Sequence, residues 1–302
     1  SDQRSVKGKA IGGNMKRNVR IMGDSTCDLT PEMREKLKVG FMPLPVNVGD
    51  EARKDMENVF PEEIFTYYKE TGKLCTTSAP NSMDYHEFWK PYLTQYPNDD
   101  IIHFHISSEM TSTYLASHTA SQEYNNVYSI DTRSVSIGVA LLIMEACEMR
   151  DAGMSAPEIV EAINKMKSRV QISFVVETIE YLWKGGRCSN LAGIGASLLQ
   201  LRPGIDLIEG KLMAGKKYRG NNAAVFRKLV ENALKDQTNV DPKRVFIANT
   251  SFDKEVNDYV ESLIRENQPD VQEVISLQPG CSICVHCGPG TLALAWLQKE
   301  SV

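Results

Sequence analysis

Five side-chain hydroxyls fall within seven residues at Ser107, Ser108, Thr111, Ser112 and Thr113, directly after the apolar run Ile101-Ile-His-Phe-His-Ile106. A short run rich in isoleucine and aromatic residues predicts a buried strand, and a helical pattern begins near Thr113. A strand that empties into a helix start leaves backbone N–H groups free and presents a dipole that favours negative charge. The segment holds hydroxyls and no lysine or arginine, which suits a carboxylate better than a polyphosphate. The competing reading is ordinary N-capping by Ser112 or Thr113.

Four other stretches carry chemistry-bearing residues. Cys75-Thr76-Thr77-Ser78-Ala79-Pro80-Asn81 reads alone as a capping loop, and beside 107–113 as a second wall of one site. Cys281-Ser-Ile-Cys284-Val-His286-Cys287-Gly-Pro-Gly290 has the sulfur spacing of a metal site. A strand over Ile283 to His286 would alternate its side chains, placing Cys284 and His286 opposite Cys281 and Cys287, so no metal is expected. His286 stands where that strand gives way to a turn, within reach of an anion; its other reading is a satisfied structural histidine. In Tyr181-Leu-Trp-Lys-Gly185-Gly186-Arg187 the glycines permit a sharp turn that pushes a guanidinium outward, or else merely cap a helix. Lys216-Lys-Tyr-Arg219-Gly220 is a basic cluster of the kind that usually forms a solvated loop. Gly193-x-Gly195 is too short for a dinucleotide fingerprint, and Walker, nucleophile-elbow and metalloprotease motifs are missing. Cys27 has no identifiable base beside it.

The elements that must position these groups alternate. Strands are expected at Val19 to Met22, 101–106 and Val127 to Ile130, with Phe41 to Val48 demoted to an edge by Pro43 and Pro45. Helices are expected from Pro61, from Ser82 (with Tyr85, Phe88, Trp89 and Tyr92), over 113–125 and over Ser136 to Arg150. This alternation predicts a mostly parallel sheet with helices on both faces. After Asp151-Ala-Gly-Met-Ser155 the pattern changes. It gives a helix over Pro157 to Ser168, a strand at Ile172 to Val176, and a hairpin of Ile205 to Ile208 and Lys211 to Met213 around Glu209-Gly210. Helices 222–235 and 254–267, strands Val245 to Asn249, Glu273 to Leu277 and Ile283 to His286, and a last helix after Pro289 complete the chain. The expectation is an α/β protein with a tag or disordered tail over 1–17, an N-terminal α/β domain over 18–152, and a second, α+β-like domain over 153–302.

Three hundred and two residues suffice for two cores. A formal net charge of -5 argues against nucleic acid as a partner. The longest apolar run, Val135 to Met144, is about half of a membrane span. Seven scattered cysteines without a secretory signal predict a reduced, cytoplasmic protein.

Taken together the motifs resemble those of the DegV family. They are Asp24-Ser25-Thr26, Thr77-Ser78-x-Pro80, Ile106-Ser-Ser…Thr111-Ser-Thr-Tyr114, Tyr181-Leu-x-Lys-Gly-Gly-Arg187, Lys217-x-Arg219-Gly220 and His286-x-Gly-Pro-Gly290. Six in order, from about Val19 to the C-terminal segment, make the resemblance specific. It implies a two-domain α/β protein that holds a long-chain fatty acid such as palmitate at the domain interface, with no cofactor. It further implies a non-catalytic carrier that presents the carboxylate to an ATP-using fatty acid kinase subunit. By motif, Thr77 and Thr111 would grip the carboxylate, Ser112, Arg219 and His286 would complete the head-group environment, and Arg187 would engage the kinase. Where the family usually reads Ser-Gly-Thr, this chain has Thr111-Ser112-Thr113, which keeps the first hydroxyl and adds a Cβ at Ser112. The alternatives are an acyl hydrolase using Thr111 or Ser112 with His286 as base, and a lipid-sensing regulatory protein.

Overall fold

The computed structural model describes residues 16–188 and 201–302; the expected tail up to residue 15 and Gly193-x-Gly195 lie outside them. The chain opens with β1 (Val19–Asp24), a 3-10 turn over Ser25–Cys27, α1 (Pro31–Leu37) and β2 (Val39–Met42). Thr30 caps α1 by accepting from Met33 N–H, with Pro31 at the first helical position. Next come β3 (Pro45–Val48), β4 (Glu51–Lys54), α2 (Pro61–Thr71), β5 (Thr76–Thr77) and α3 (Ser82–Gln95). The first half ends with β6 (Asp100–His105), α4 (Thr113–Ser121), β7 (Val127–Asp131) and α5 (Ile137–Asp151).

The second half runs through α6 (Ala156–Met166), β8 (Val170–Val175), α7 (Glu180–Gly185), β9 (Arg202–Ile208), β10 (Lys211–Tyr218) and α8 (Asn222–Leu234). It finishes with β11 (Val240–Asn249), α9 (Lys254–Asn267), β12 (Glu273–Leu277), α10 (Cys281–Cys287) and β13 (Leu292–Gln298). Among the described residues no helix is long and apolar enough to cross a membrane.

The first sheet has the order β2-β1-β6-β7 and is parallel throughout. Alternation splits its side chains between two layers. Ile21, Ile102, Phe104 and Ile130 meet α5 and α6, while Met22, Ile101 and Val127 meet Tyr85 and Trp89 of α3 and Ala120 of α4. Helices thus cover both faces, as expected. The second sheet, β10-β9-β8-β13-β11-β12, is antiparallel except for the β11–β12 pair. One face packs on α8 and α9, the other on α5. Helix α5 is buried all round because it lies between the two sheets, and α6, beyond residue 152, packs on β6 and β7. A small third sheet, β4-β3-β5, stands apart.

Three expectations are corrected. Phe41 to Val48 is two strands broken at Pro43-Leu44: β2 is an edge, but β3 is the central strand of the small sheet, with Pro45 tolerated at its first position. Ile283 to His286 is not a strand but part of α10, bounded by Gly280 and Gly288. A buried run this short has no period of its own, and the bonds offered to its N-terminus decide its conformation. The segment after Pro289 is strand β13, not a helix. Leu292, Leu294 and Trp296 face α8 and α9, while Ala293, Ala295 and Leu297 face α5. A strand buried on both sides reads as a continuous apolar run and mimics a helix.

Because β13 is hydrogen-bonded on both sides, by β8 and β11, a chain ending at Gly290 would split the sheet in two and leave one edge each of β8 and β11 unpaired in the interior. Such a truncated protein is expected to show no cooperative urea transition, whereas the full chain shows one.

Candidate functional site

Parallel strands send all their C-terminal ends to one edge, and a crevice opens where successive connections leave in opposite directions. Here β1 connects sideways to β2 through α1 on the α5 face, while β6 connects to β7 through α4 on the α3 face. The reversal falls between β1 and β6. A cavity of about 240 Å³ lies there, walled by all four C-terminal loops: Thr26 after β1, Leu44 after β2, Ile106 and Met110–Thr113 after β6, and Val135 after β7. The facing wall is Thr77, Ser78 and Ala79 after β5, Arg187, Leu212 of β10, and Ser282, Ile283, His286 and Cys287 of α10. The walls come from both 18–152 and 153–302.

Thr77, Thr111, Ser112 and His286 are therefore brought together around one cavity. Thr77 Oγ1 and His286 Nε2 are 2.9 Å apart. Ser112 takes the N-cap position of α4 at φ -88°, where a Cβ is accommodated, and its side chain makes no capping hydrogen bond. The first-turn N–H groups of α4 thus keep donor capacity beside the cavity. Two hydroxyls noted in the sequence but not assigned there to the head group, Thr26 Oγ1 and Thr113 Oγ1, are buried against the cavity without a hydrogen-bond partner. Both belong to segments whose polar character was legible, the turn after β1 and the run after β6.

Arg219 is not brought to the cavity. It is exposed beyond Tyr218, at the end of β10. The cation among the described lining residues is Arg187, which the sequence points outward to a partner. Gly186 caps α7 at φ 67°, and Arg187 turns back to donate from Nη1 to Gly185 O at 2.8 Å. Gly185 has its own role, since a Cβ there would stand 2.7 Å from His286 Nδ1. Burial first, and the Arg187 charge second, push the His286 imidazole down to about 4, so it is neutral at pH 7. Its Nδ1 is buried without a partner, which leaves it no orienting group of the kind a general base needs.

A second, smaller cavity of about 40 Å³ continues inward and shares Val135, Leu212, Ile283 and Cys287 with the first. Its floor is Ile172, Phe174, Ala248 and Ala293 of the second sheet, with Ile137 of α5 above. The hydroxyls that border it are turned away. Ser136 donates to Asp28, Thr250 to Gly288 O and Thr291 to Cys287 O.

Behind the head of the site, Asp24 is fully buried between His103 Nε2 at 2.9 Å and His105 Nδ1 at 2.7 Å, with Tyr85 Oη at 3.1 Å. Trp89 Nε1–H donates to His103 Nδ1 at 3.0 Å, so a neutral His103 carries its proton on Nε2 and gives it to Asp24. Burial alone would raise the Asp24 carboxyl, but the imidazoles of His105 and His103 hold it well below the usual carboxylate range. These three are the one group among the described residues whose possible metal-ligating atoms converge, within 4.8 Å. The converging atoms are already bonded to one another. The alternation invoked against a metal at Cys281, Cys284 and Cys287 does not apply to a helix. Their sulfurs part for a different reason: Cys281 Sγ turns to Val59 O, Cys284 Sγ to Pro279 O, and Cys287 lines the cavity.

Residues 18–299 match the family model described as an uncharacterised protein, DegV family. The chain belongs to the DegV family. A DegV relative from Thermotoga maritima, named a fatty acid-binding protein, is 31% identical over 283 residues, covering 91% of this chain and 96% of the relative. A DegV family protein from Thermus thermophilus, whose structure is described by its fatty acid binding, superposes with a TM-score of 0.83 at 26% identity. That match covers 93% of this chain and 99% of the other. A Thermotoga maritima protein described as revealing fatty acid binding function superposes at 0.80, also at 26% identity, over 93% and 99% of the two chains.

With His286 neutral in the DegV fold, the unfolded chain takes up a proton below about 6.5 that the folded one refuses until about 4. The stability this gives is complete above 6.5 and is lost as pH falls through that window. His286→Gln is expected to remove the loss, flattening the pH dependence of urea stability between 6.5 and 4 by at most about 1.4 kcal/mol per pH unit.

Proposed function

We propose that this DegV protein binds a long-chain fatty acid, with the carboxylate among the hydroxyls at the strand ends and the acyl chain directed inward. The observation that carries the reading is the division of polarity along one path. At the mouth, Thr26 and Thr113 offer unpaired hydroxyls beside Thr77, Thr111 and the uncapped start of α4. Deeper, each bordering hydroxyl is consumed by the protein itself. Each buried methylene contributes about 0.8 kcal/mol, so a long tail supplies roughly 10 kcal/mol before ordering costs. The head group has only to avoid being an unpaired buried charge. The fatty acid-binding names of the Thermotoga and Thermus relatives support the same ligand class.

Arg187, anchored on Gly185 O and half-buried at the mouth, is open both to the head group and to a protein docked over it. We infer the role of a carrier that delivers its acid to a separate ATP-dependent kinase subunit, an inference drawn from the family resemblance and from the missing nucleotide motifs. A reducing, cytoplasmic setting suits a chain with seven scattered cysteines. The hydrolase reading needs Thr111 or Ser112 beside His286 as base, yet His286 bonds Thr77 instead and lacks an orienting group.

Mass spectrometry of gently purified protein is expected to find a co-purifying fatty acid. No such lipid, together with no affinity for palmitate or oleate, would refute the proposal. Thr77→Ala and Thr111→Ala are each expected to weaken retention about tenfold to a hundredfold, the worth of one hydrogen bond to a charged group. Arg187→Ala is expected to weaken it similarly; retention unchanged in that variant would assign Arg187 to docking alone. Turnover of a chromogenic acyl ester that disappears in His286→Ala would favour the hydrolase instead.

A further inference from the structure

The two cavities point to a residue pair that decides how long a tail fits. We propose that Ala248 and Ala293 set the chain length of the acyl group this protein holds. This rests on the reading that an acyl chain fills the cavity, and concerns only where that chain must stop.

Ala248 of β11 and Ala293 of β13 are direct cross-strand neighbours in the middle of the second sheet. The row continues to Phe174 of β8 on one side and Leu277 of β12 on the other. All four belong to the layer packed on α5. Side chains in register on one face stand side by side. Two methyl groups between a phenylalanine and a leucine therefore leave a trough along the β13–β11 seam. Toward the mouth the trough begins at Thr291 and Thr250, whose hydroxyls are already bonded to backbone carbonyls.

The next pair inward on the same face is Ala295 and Phe246, with Ile172 beside Ala295. Phe246 is fully buried, and with Ile172 it refills the space and ends the trough. The roof cannot lift to compensate. Helix α5 is drawn close at Gly138, where a Cβ would stand 2.6 Å from Ile172 Cδ1 and would collide with Ser134 Oγ. A tail that passes Leu212 and Ile283 thus meets a floor of methyl groups and then a wall. Interiors packed at crystal density transmit added volume with little slack. A larger residue at either alanine moves the wall toward the mouth, and a smaller one at Ile172 moves it away.

The test loads wild type, Ala248→Val, Ala293→Leu and Ile172→Ala with an equimolar series of straight-chain saturated fatty acids. The acids retained are then read by mass spectrometry. The preferred length is expected to shorten by about two carbons in Ala293→Leu, and by less in Ala248→Val, in line with the volume added. It is expected to lengthen in Ile172→Ala, with total acid per protein held near the wild-type level. Should Ala293→Leu fail to fold, the Ala248→Val and Ile172→Ala pair decides, since these variants change the volume in opposite directions. Variants that melt as wild type does, stay loaded and keep the wild-type length distribution would overturn this inference alone. A wild type that retains no acid from the series would overturn the proposed function and this inference with it.

Discussion

The cavity exists because two buried aspartates hold the start of α10. Asp28, in the loop after β1, accepts from Gly280 N–H at 2.8 Å. Asp55, after β4, accepts from Cys281 N–H at 2.7 Å and from both the N–H and the hydroxyl of Ser282. Three of the N–H groups that a helix start leaves unpaired are thereby satisfied by negatively polarised oxygens, where the helix dipole favours them most. The same Asp28 accepts from Ser136 Oγ at the start of α5. One cluster therefore ties the first sheet, the small sheet, the central helix and α10 together. Burial pushes the Asp28 carboxyl up to about 8 against the pull of its Ser136 and Gly280 bonds. Such a group is tolerated because every donor around it would be orphaned in its absence.

With α10 fixed, His286 is delivered to Thr77, and Ile283 and Cys287 become the passage between the outer and inner cavities. The polarity of that passage follows from which hydroxyls the backbone has already claimed. Residue type alone does not separate Thr113 from Thr291, since both are buried threonines beside a cavity. Thr291 spends its hydroxyl on Cys287 O, whereas Thr113 has no partner. A site for an amphiphile needs this asymmetry, because an unpaired donor along the tail would cost more than the neighbouring methylenes return.

The buried Asp24–His103–His105 group has a structural account. Two histidines at i and i+2 of β6 necessarily share a face, and that face meets the aromatic helix α3, where Tyr85 and Trp89 supply a hydroxyl and an indole N–H. Apart from His105 Nε2, which has no partner, the polar atoms satisfy one another directly behind the strand-end loops that carry Thr26 and Ile106. This stiffens the reversal point between β1 and β6 and leaves the chemistry to the loops.

Strand-helix alternation made the first sheet legible, down to its parallel order and its covering of helices, because the 2 and 3.6 residue periods survive in half-buried elements. They fail where both sides are buried. Leu292–Gln298 and Cys281–Cys287 are apolar all round, so the first read as a helix and the second as a strand, and their true forms are set by neighbours far away in sequence. The hydroxyls that line the cavity were legible as a run of polar residues at a strand end, and the motif order carried the family. Arg187 and Arg219 were not separable, because a guanidinium beside glycines turns inward or outward according to what packs against the turn. Local pattern alone was enough for the fold class and for the run of hydroxyls at the strand end. Which arginine lines the cavity, which hydroxyls stay free and the pairing of two alanines on its floor came from the three-dimensional packing. Those outcomes depend on register and on distant hydrogen-bond partners, and neither leaves a local trace in the chain.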